Sequence, residues 1–180
     1  PDARARSWVD AQLVNASPTT SGTAHSRSDL NLSFMLERER STVVTAAFES
    51  IRHSQTHYGA AEPEETRRRL DALYDELCGA VVSRDLSHIV GFARHLAAER
   101  FHSGYDLSEV QCAFNSLEEA LWSMLCARLR PEQHAFALGL VGTVLGAAKA
   151  ELAREYVSLA SQTHVQSLDL SALFSGDAGT

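Results

Sequence analysis

Apolar residues recur along this chain at helical intervals and nowhere alternate as a strand would. Leu32, Leu36, Val43, Val44, Ala47, Phe48 and Ile51 fall three or four residues apart, which a 3.6-residue turn gathers onto one face. Asp29 precedes them as an N-cap, and the pattern fades near Gly59. Pro63 at a first-turn position, with Glu64 and Glu65 behind it, opens a second helix whose stripe is Leu70, Leu73, Tyr74, Leu77 and Val81. Proline is preorganised for that position, and acids suit the positive end of the helix. A third helix starts at Asp85 or Ser87 and ends before Gly104. A fourth runs from Leu107 to about Leu129, capped by Asp106 or Ser108, with Val110, Phe114, Leu117, Leu121 and Leu125 on one side. Pro131 opens a fifth helix that continues to about Ser167, roughly 50 Å at 1.5 Å per residue. The pattern predicts an all-α fold: a five-helix bundle with a long C-terminal helix, globin-like packing being among the arrangements it allows.

The flanks read differently. Asn15 to Ser28 is mostly Ser, Thr, Ala and Gly, a composition too poor in apolar surface to offset the entropy of ordering. The expected organisation is an N-terminal arm over residues 1–27, a helical domain over 28–167 and a tail over 168–180. Trp8, Val9 and Leu13 give the arm an apolar side suited to docking on the domain or on a partner; a plain terminal tail is the alternative. The tail carries Leu170, Leu173 and Phe174.

Composition narrows the classes. With 44% hydrophobic residues the chain can build a globular core. A formal net charge of -7 argues against nucleic acid as the main partner, since phosphate binding needs a basic face. No apolar run approaches about 18 residues, and no signal-peptide pattern opens the chain, so no membrane span is expected. Cys78, Cys112 and Cys126 are odd in number and form no metal-like pair, which suits a reducing compartment. A cytoplasmic location is the expectation.

Candidate chemistry is sparse. On the third helix Ile89, Phe92, Ala93, Leu96 and Ala97 make an apolar arc, and Arg100 falls near its centre. An arginine aimed at a core needs a partner. Glu109 and Glu118 are the candidate acids, and bonding one of them would fasten the turn from Ser103 to Asp106. The competing reading has Arg100 at a frayed end, its head group in water. His88, His95 and His102 recur every seven residues beside Glu99, but residues seven apart lie about 10 Å apart along a helix axis, too far to share one ion. They read as a solvated stripe. His53 and His57 have chelating spacing at an exposed helix end. No nucleophile elbow or phosphate-cradling loop is present, and the sole lysine is Lys149. A non-catalytic protein without a cofactor is expected. The alternative from another class is a small-molecule or haem sensor, with His95, His102 or His134 as the haem ligand.

The fifth helix stands apart. Between Phe136 and Ala148 nearly every residue is apolar or small, so that half is expected to be covered on almost all sides. Gly139, Gly142, Gly146, Ala150 and Ala153 line one narrow side. Each interior glycine costs about 1 kcal/mol of helix propensity against alanine, so the three need a packing reason. Close approach of a neighbouring helix within the chain is one; a homodimer interface is the other.

Residues 66–162 resemble the N-terminal domain of the RsbRD-type RsbT co-antagonist family. The resemblance is carried by RLDALYDELCGAVVSRD (Arg69–Asp85), LAAERFHSGYDLSEVQCAFNSLEEALW (Leu96–Trp122) and AELAREYVSLA (Ala150–Ala160). Its core is Ala97, Arg100, Gly104, Leu107, Glu109, Val110, Leu121 and Trp122. It implies a bacterial, cytosolic, non-catalytic sensory or protein-interaction domain, often dimeric, working ahead of an effector. It carries over no ligand site.

Overall fold

The computed structural model describes the backbone of residues 21–53 and 63–167, and the side chains of 32–53 and 63–163. Among the described residues five helices follow one another: α1 (Ser21–His53), α2 (Pro63–Ser83), α3 (Ser87–His102), α4 (Leu107–Arg128) and α5 (Pro131–Ser167). No strand occurs among the described residues, and the predicted all-α bundle with its long last helix is the architecture the chain adopts.

The boundaries follow local chemistry. Pro63, Leu107 and Pro131 begin their helices where the pattern places them. Asp106 caps α4 in a capping box: the Asp106 backbone N–H donates to Glu109 Oε2 at 2.8 Å while the Asp106 carboxylate accepts from the N3 backbone, satisfying two orphan donors at once. At α3 the cap residue is Leu86, and Asp85 supplies the acceptor from one position earlier. Its carboxylate takes the Ser87 N–H at 2.8 Å and the Ser87 hydroxyl at 2.7 Å, which holds its pKa below the usual aspartate value. α1 departs from expectation: it starts at Ser21, and Asp29 lies inside it rather than at its end. Residues 21–27 contain no proline, and a helix once nucleated extends at little cost. Residues 1–20, Gly59 and residues 168–180, with the remainder of the predicted arm and the tail, lie outside the described residues.

The core forms around the inward face of α5. Ala137, Val141, Val144, Leu145, Ala148, Leu152 and Tyr156 are buried there. α3 and α4 cover most of this face, while α1 packs on α4 and α2, and α2 reaches α3 and α5. The predicted stripes supply the layer: Leu36, Val44, Ala47 and Ile51 from α1, Leu70, Tyr74 and Leu77 from α2, Ile89, Ala93 and Ala97 from α3, Phe114, Leu117, Leu121 and Leu125 from α4. Each fully buried leucine contributes about 1.5–3 kcal/mol of transfer free energy. By length and composition Pro131–Thr163 would also span a bilayer, with a mean hydropathy of 1.5 over its 18-residue window. The expectation of no such run is corrected here: the valines and leucines of the inward face, with glycines and alanines on the outward one, keep the average apolar.

A polar clasp joins α1 to α2. Arg40 bonds Asp71 Oδ1 at 3.2 Å and both oxygens of Asp75, and its guanidinium lies 5.8 Å from the Tyr74 ring centre. The buried Tyr74 hydroxyl donates to the Leu36 carbonyl at 2.6 Å. Burial raises the Tyr74 phenol well above its ordinary value and pushes the Cys78 thiol up to about 12.

Two outcomes follow. Tyr74→Phe strands a buried carbonyl lone pair and is expected to lower unfolding stability by about 1–2 kcal/mol in urea titration. Both acids are harder to ionise when folded, so their contribution is complete at neutral pH. It is lost as pH rises from 9.0, where an unfolded thiol ionises, towards about 12, its folded value. Cys78→Ala should flatten part of that alkaline decline in a stability–pH series.

Candidate interaction surface

The third helix places Arg100 where its wheel position demands. Ile89, Ala93, Ala97 and Arg100 are its buried residues, and Arg100 is 3% exposed, so the water-exposed reading is set aside. Its carboxylate partner is Glu99, with Arg100 Nη2 3.2 Å from Oε1; this corrects the expectation of Glu109 or Glu118. The reason is prior engagement. Glu109 folds back into the capping box of α4, and Glu118 holds Lys149 at 2.7 Å. Glu99 is itself the end of a chain of charge, since Arg69 bridges it at 2.7 Å to Glu65 at 2.6 Å.

Arg100 meets the turn by another route. Its guanidinium sits 4.7 Å from the Tyr105 ring centre, and its backbone carbonyl accepts the Tyr105 N–H at 3.1 Å. Gly104 occupies the left-handed region at φ 79°, and Gly104 N–H donates to the Phe101 carbonyl. This is the glycine-terminated helix end in which the last carbonyls are satisfied by the residues after the turn. Arg100 Nε is buried with no hydrogen-bond partner. Beside the turn lies a shallow cleft of about 330 Å³ bounded by Phe101, Tyr105, Leu107 and Tyr156. Phe101 and Tyr156 meet edge-on at 5.7 Å, and the Tyr156 hydroxyl donates to the Tyr105 carbonyl at 3.2 Å.

The fifth helix reverses an expectation. Its apolar half is not covered on all sides. Every exposed residue from Ala135 to Ala150 is small and uncharged: Ala135, Gly139, Thr143, Gly146 and Ala150. A Cβ built on Gly139, Gly142 or Gly146 would meet nothing within 4 Å, so close approach within the chain does not account for the glycines. Of the two readings, close approach of another described helix is not met, because the inward face is formed by the opposite residues. The Glu118–Lys149 bridge sets the register of α4 against α5. One turn further along α4, Trp122 is 46% exposed. A large aromatic, the residue type most often found at binding hot spots, thus accompanies a smooth helix surface.

Two buried glutamates escaped the sequence reading. Glu151 is bonded by Arg94 at 2.6 Å and by Arg154; Glu39 is bonded by Arg38 at 3.0 Å and Arg128 at 3.4 Å. Both stand in apolar stripes, Glu39 between Leu36 and Val43, Glu151 between Ala148 and Leu152, and that position was the available signal.

His88, His95 and His102 are exposed, as the solvated-stripe reading has it. His53 is exposed, with Nδ1 2.6 Å from the Glu49 carbonyl, while His57 lies outside the described residues. His134 is half-buried, its Nε2 3.0 Å from the Leu129 carbonyl. Among the described residues no three His, Cys, Asp or Glu side chains are grouped to hold a metal ion. No family model matches the chain, and no curated protein matches it significantly.

Arg100→Ala is expected to lower stability by about 2 kcal/mol through lost packing and the lost ring contact. Glu99 is half-exposed and keeps Arg69, so no charge is stranded. Arg100→Met keeps the packing and removes an unpaired buried N–H; it should cost less than Arg100→Ala in thermal unfolding. Gly104→Ala should cost about 1–2 kcal/mol for a left-handed alanine, read in the same assay.

Proposed function

We propose that this chain is a bacterial signal-transduction or regulatory domain acting through protein–protein contact. It serves as a non-catalytic input module of a stress-response or transcription regulator in the cytoplasm, and it works as a homodimer. The observation that carries the reading is the outward face of α5. Interior glycines that touch nothing among the described residues each cost about 1 kcal/mol against alanine, and from Ala135 to Ala150 the sole charged residue is Lys149, a quarter exposed and held by Glu118. A partner helix brought close to that face would gain the contact the glycines leave room for. Trp122 at its edge is the anchor. The resemblance of residues 66–162 to the RsbRD-type domain supports the same reading, since that resemblance implies a helical sensory domain that is often dimeric. So does the Arg100 turn, which couples α3 and α4 through one glycine and gives the bundle a place where two packings can differ.

Light scattering of the purified chain tests this. The expected result is a dimer, converted to a monomer of unchanged helical circular dichroism by Gly142→Leu with Gly146→Leu. Trp122→Ala should weaken association at least tenfold. A parent chain that is monomeric, or a leucine pair that leaves the dimer intact, overturns the reading. So does partition of the parent into lipid vesicles through α5, which would make a bilayer the occupant of this face.

A further inference from the structure

The outward face of α5 ends in charges of opposite sign. On the helix wheel Glu132 lies within about 20° of Gly139 and Arg154 within about 60°, so both border the face that Gly139, Gly146 and Ala150 form. Both are exposed, and between them no charged residue is. Arg154 also bonds Glu151, but Glu151 keeps Arg94 when Arg154 turns away. Of the four large apolar side chains exposed among the described residues, two, Trp122 and Val157, border this face. α4 runs antiparallel to α5, tied to it by His134 at the Leu129 carbonyl and by Lys149 at Glu118. Trp122 lies between these ties, level with Thr143.

We propose that the occupant of this face is α5 of a second copy, laid antiparallel across it about a two-fold axis at Thr143. The proposal rests on the dimer reading and adds which helix of the partner is met, and in which direction. Three observations select it. The first is charge. Glu132 and Arg154 stand about 33 Å apart along the helix, and Thr143 is their midpoint. Reversal about Thr143 sets Glu132 of each copy against the partner's Arg154. A parallel pair would set acid on acid and arginine on arginine, which costs several-fold in association. The second is closure. A face with complementary ends satisfies itself twice in a two-fold pair and leaves no end open for a third copy. The third is Trp122. An axis that reverses α5 keeps both copies of α4 on one side of the pair, so the two indoles come to the axis and each covers the partner's Gly142. The crossing is then shallow. At about 20° the helix ends part sideways by about 6 Å, within reach of a glutamate and an arginine, whereas about 50° would part them by about 14 Å.

Light scattering of the parent chain comes first, since a monomer overturns this proposal and the dimer reading together. In a chain with Cys112→Ser and Cys126→Ser, Thr143→Cys is expected to join copies under a short bifunctional maleimide. Chains with Glu132→Cys should cross-link to chains with Arg154→Cys and not among themselves. Glu132→Arg and Arg154→Glu should each weaken the dimer about tenfold, and the doubly reversed chain should recover the parent affinity. Within one chain the two positions are about 33 Å apart, so recovery arises only between copies. Should Arg154→Glu lose helical circular dichroism by crowding Glu151, the cross-links decide alone. A dimer whose Glu132→Cys chains join one another overturns the antiparallel arrangement and leaves the dimer reading standing. A dimer indifferent to both charge reversals does the same.

Discussion

Everything in this bundle depends on taking the inward face of α5 out of water. Val141, Val144, Leu145, Ala148 and Leu152 are nearly or completely buried, and each other helix is placed by what it contributes to covering them or to covering the helices that do. The hydrophobic effect is non-directional and scales with the apolar area removed from water. It therefore explains why α2, α3 and α4 gather on α5 and α1 on α2 and α4, but not why they stop in one arrangement. The arrangement is fixed by polar contacts at the edges: the Arg40 clasp between α1 and α2, the Glu65–Arg69–Glu99 chain between α2 and α3, Arg94 with Glu151 between α3 and α5, and Glu118 with Lys149 between α4 and α5.

These contacts differ in kind. Exposed pairs such as Arg68 with Glu65 contribute little, since water and salt screen them. Glu39 and Glu151 are different because their carboxylates are almost wholly buried. Each is met by two arginines whose heads remain in water, so the acid is compensated without desolvating a cation. Arg100 is the inverse case, a buried cation beside a half-exposed acid, with an aromatic ring completing its surroundings. At these three positions charge in the interior is accompanied by a partner that stays more solvated, while the buried Glu109 is held by the backbone of its own capping box.

How much of this was legible in the sequence can be argued residue by residue. Helix number, type and most boundaries were, because Pro63, Asp106 and Pro131 are strong punctuation and the stripes between them are regular. The start of α1 was not: Asp29 is a good cap, but capping propensity is worth about 1 kcal/mol and helix continuation overrode it. Arg100 was placed correctly by angle and incorrectly by partner. A wheel gives direction within one helix, whereas a partner depends on which other acids are already engaged. The α5 glycines failed for a related reason. Their common side was readable, but whether that side faced inward depended on which of two apolar arcs the other helices covered. Trp122 gave no periodic signal, since an exposed aromatic lies outside every stripe.

The length of α5 has a mechanical corollary. Tyr156 is its last buried side chain among the described residues, yet the helix continues to Ser167, an overhang of about 16 Å. Helices resist bending over so short a span, so the overhang moves with whatever the buried part does. A tilt of about 10° at Tyr156 displaces the tip by about 3 Å. Small changes of packing near the Tyr105–Tyr156 hydrogen bond are thereby magnified at the far end of the helix, as a short lever magnifies the turn of its pivot.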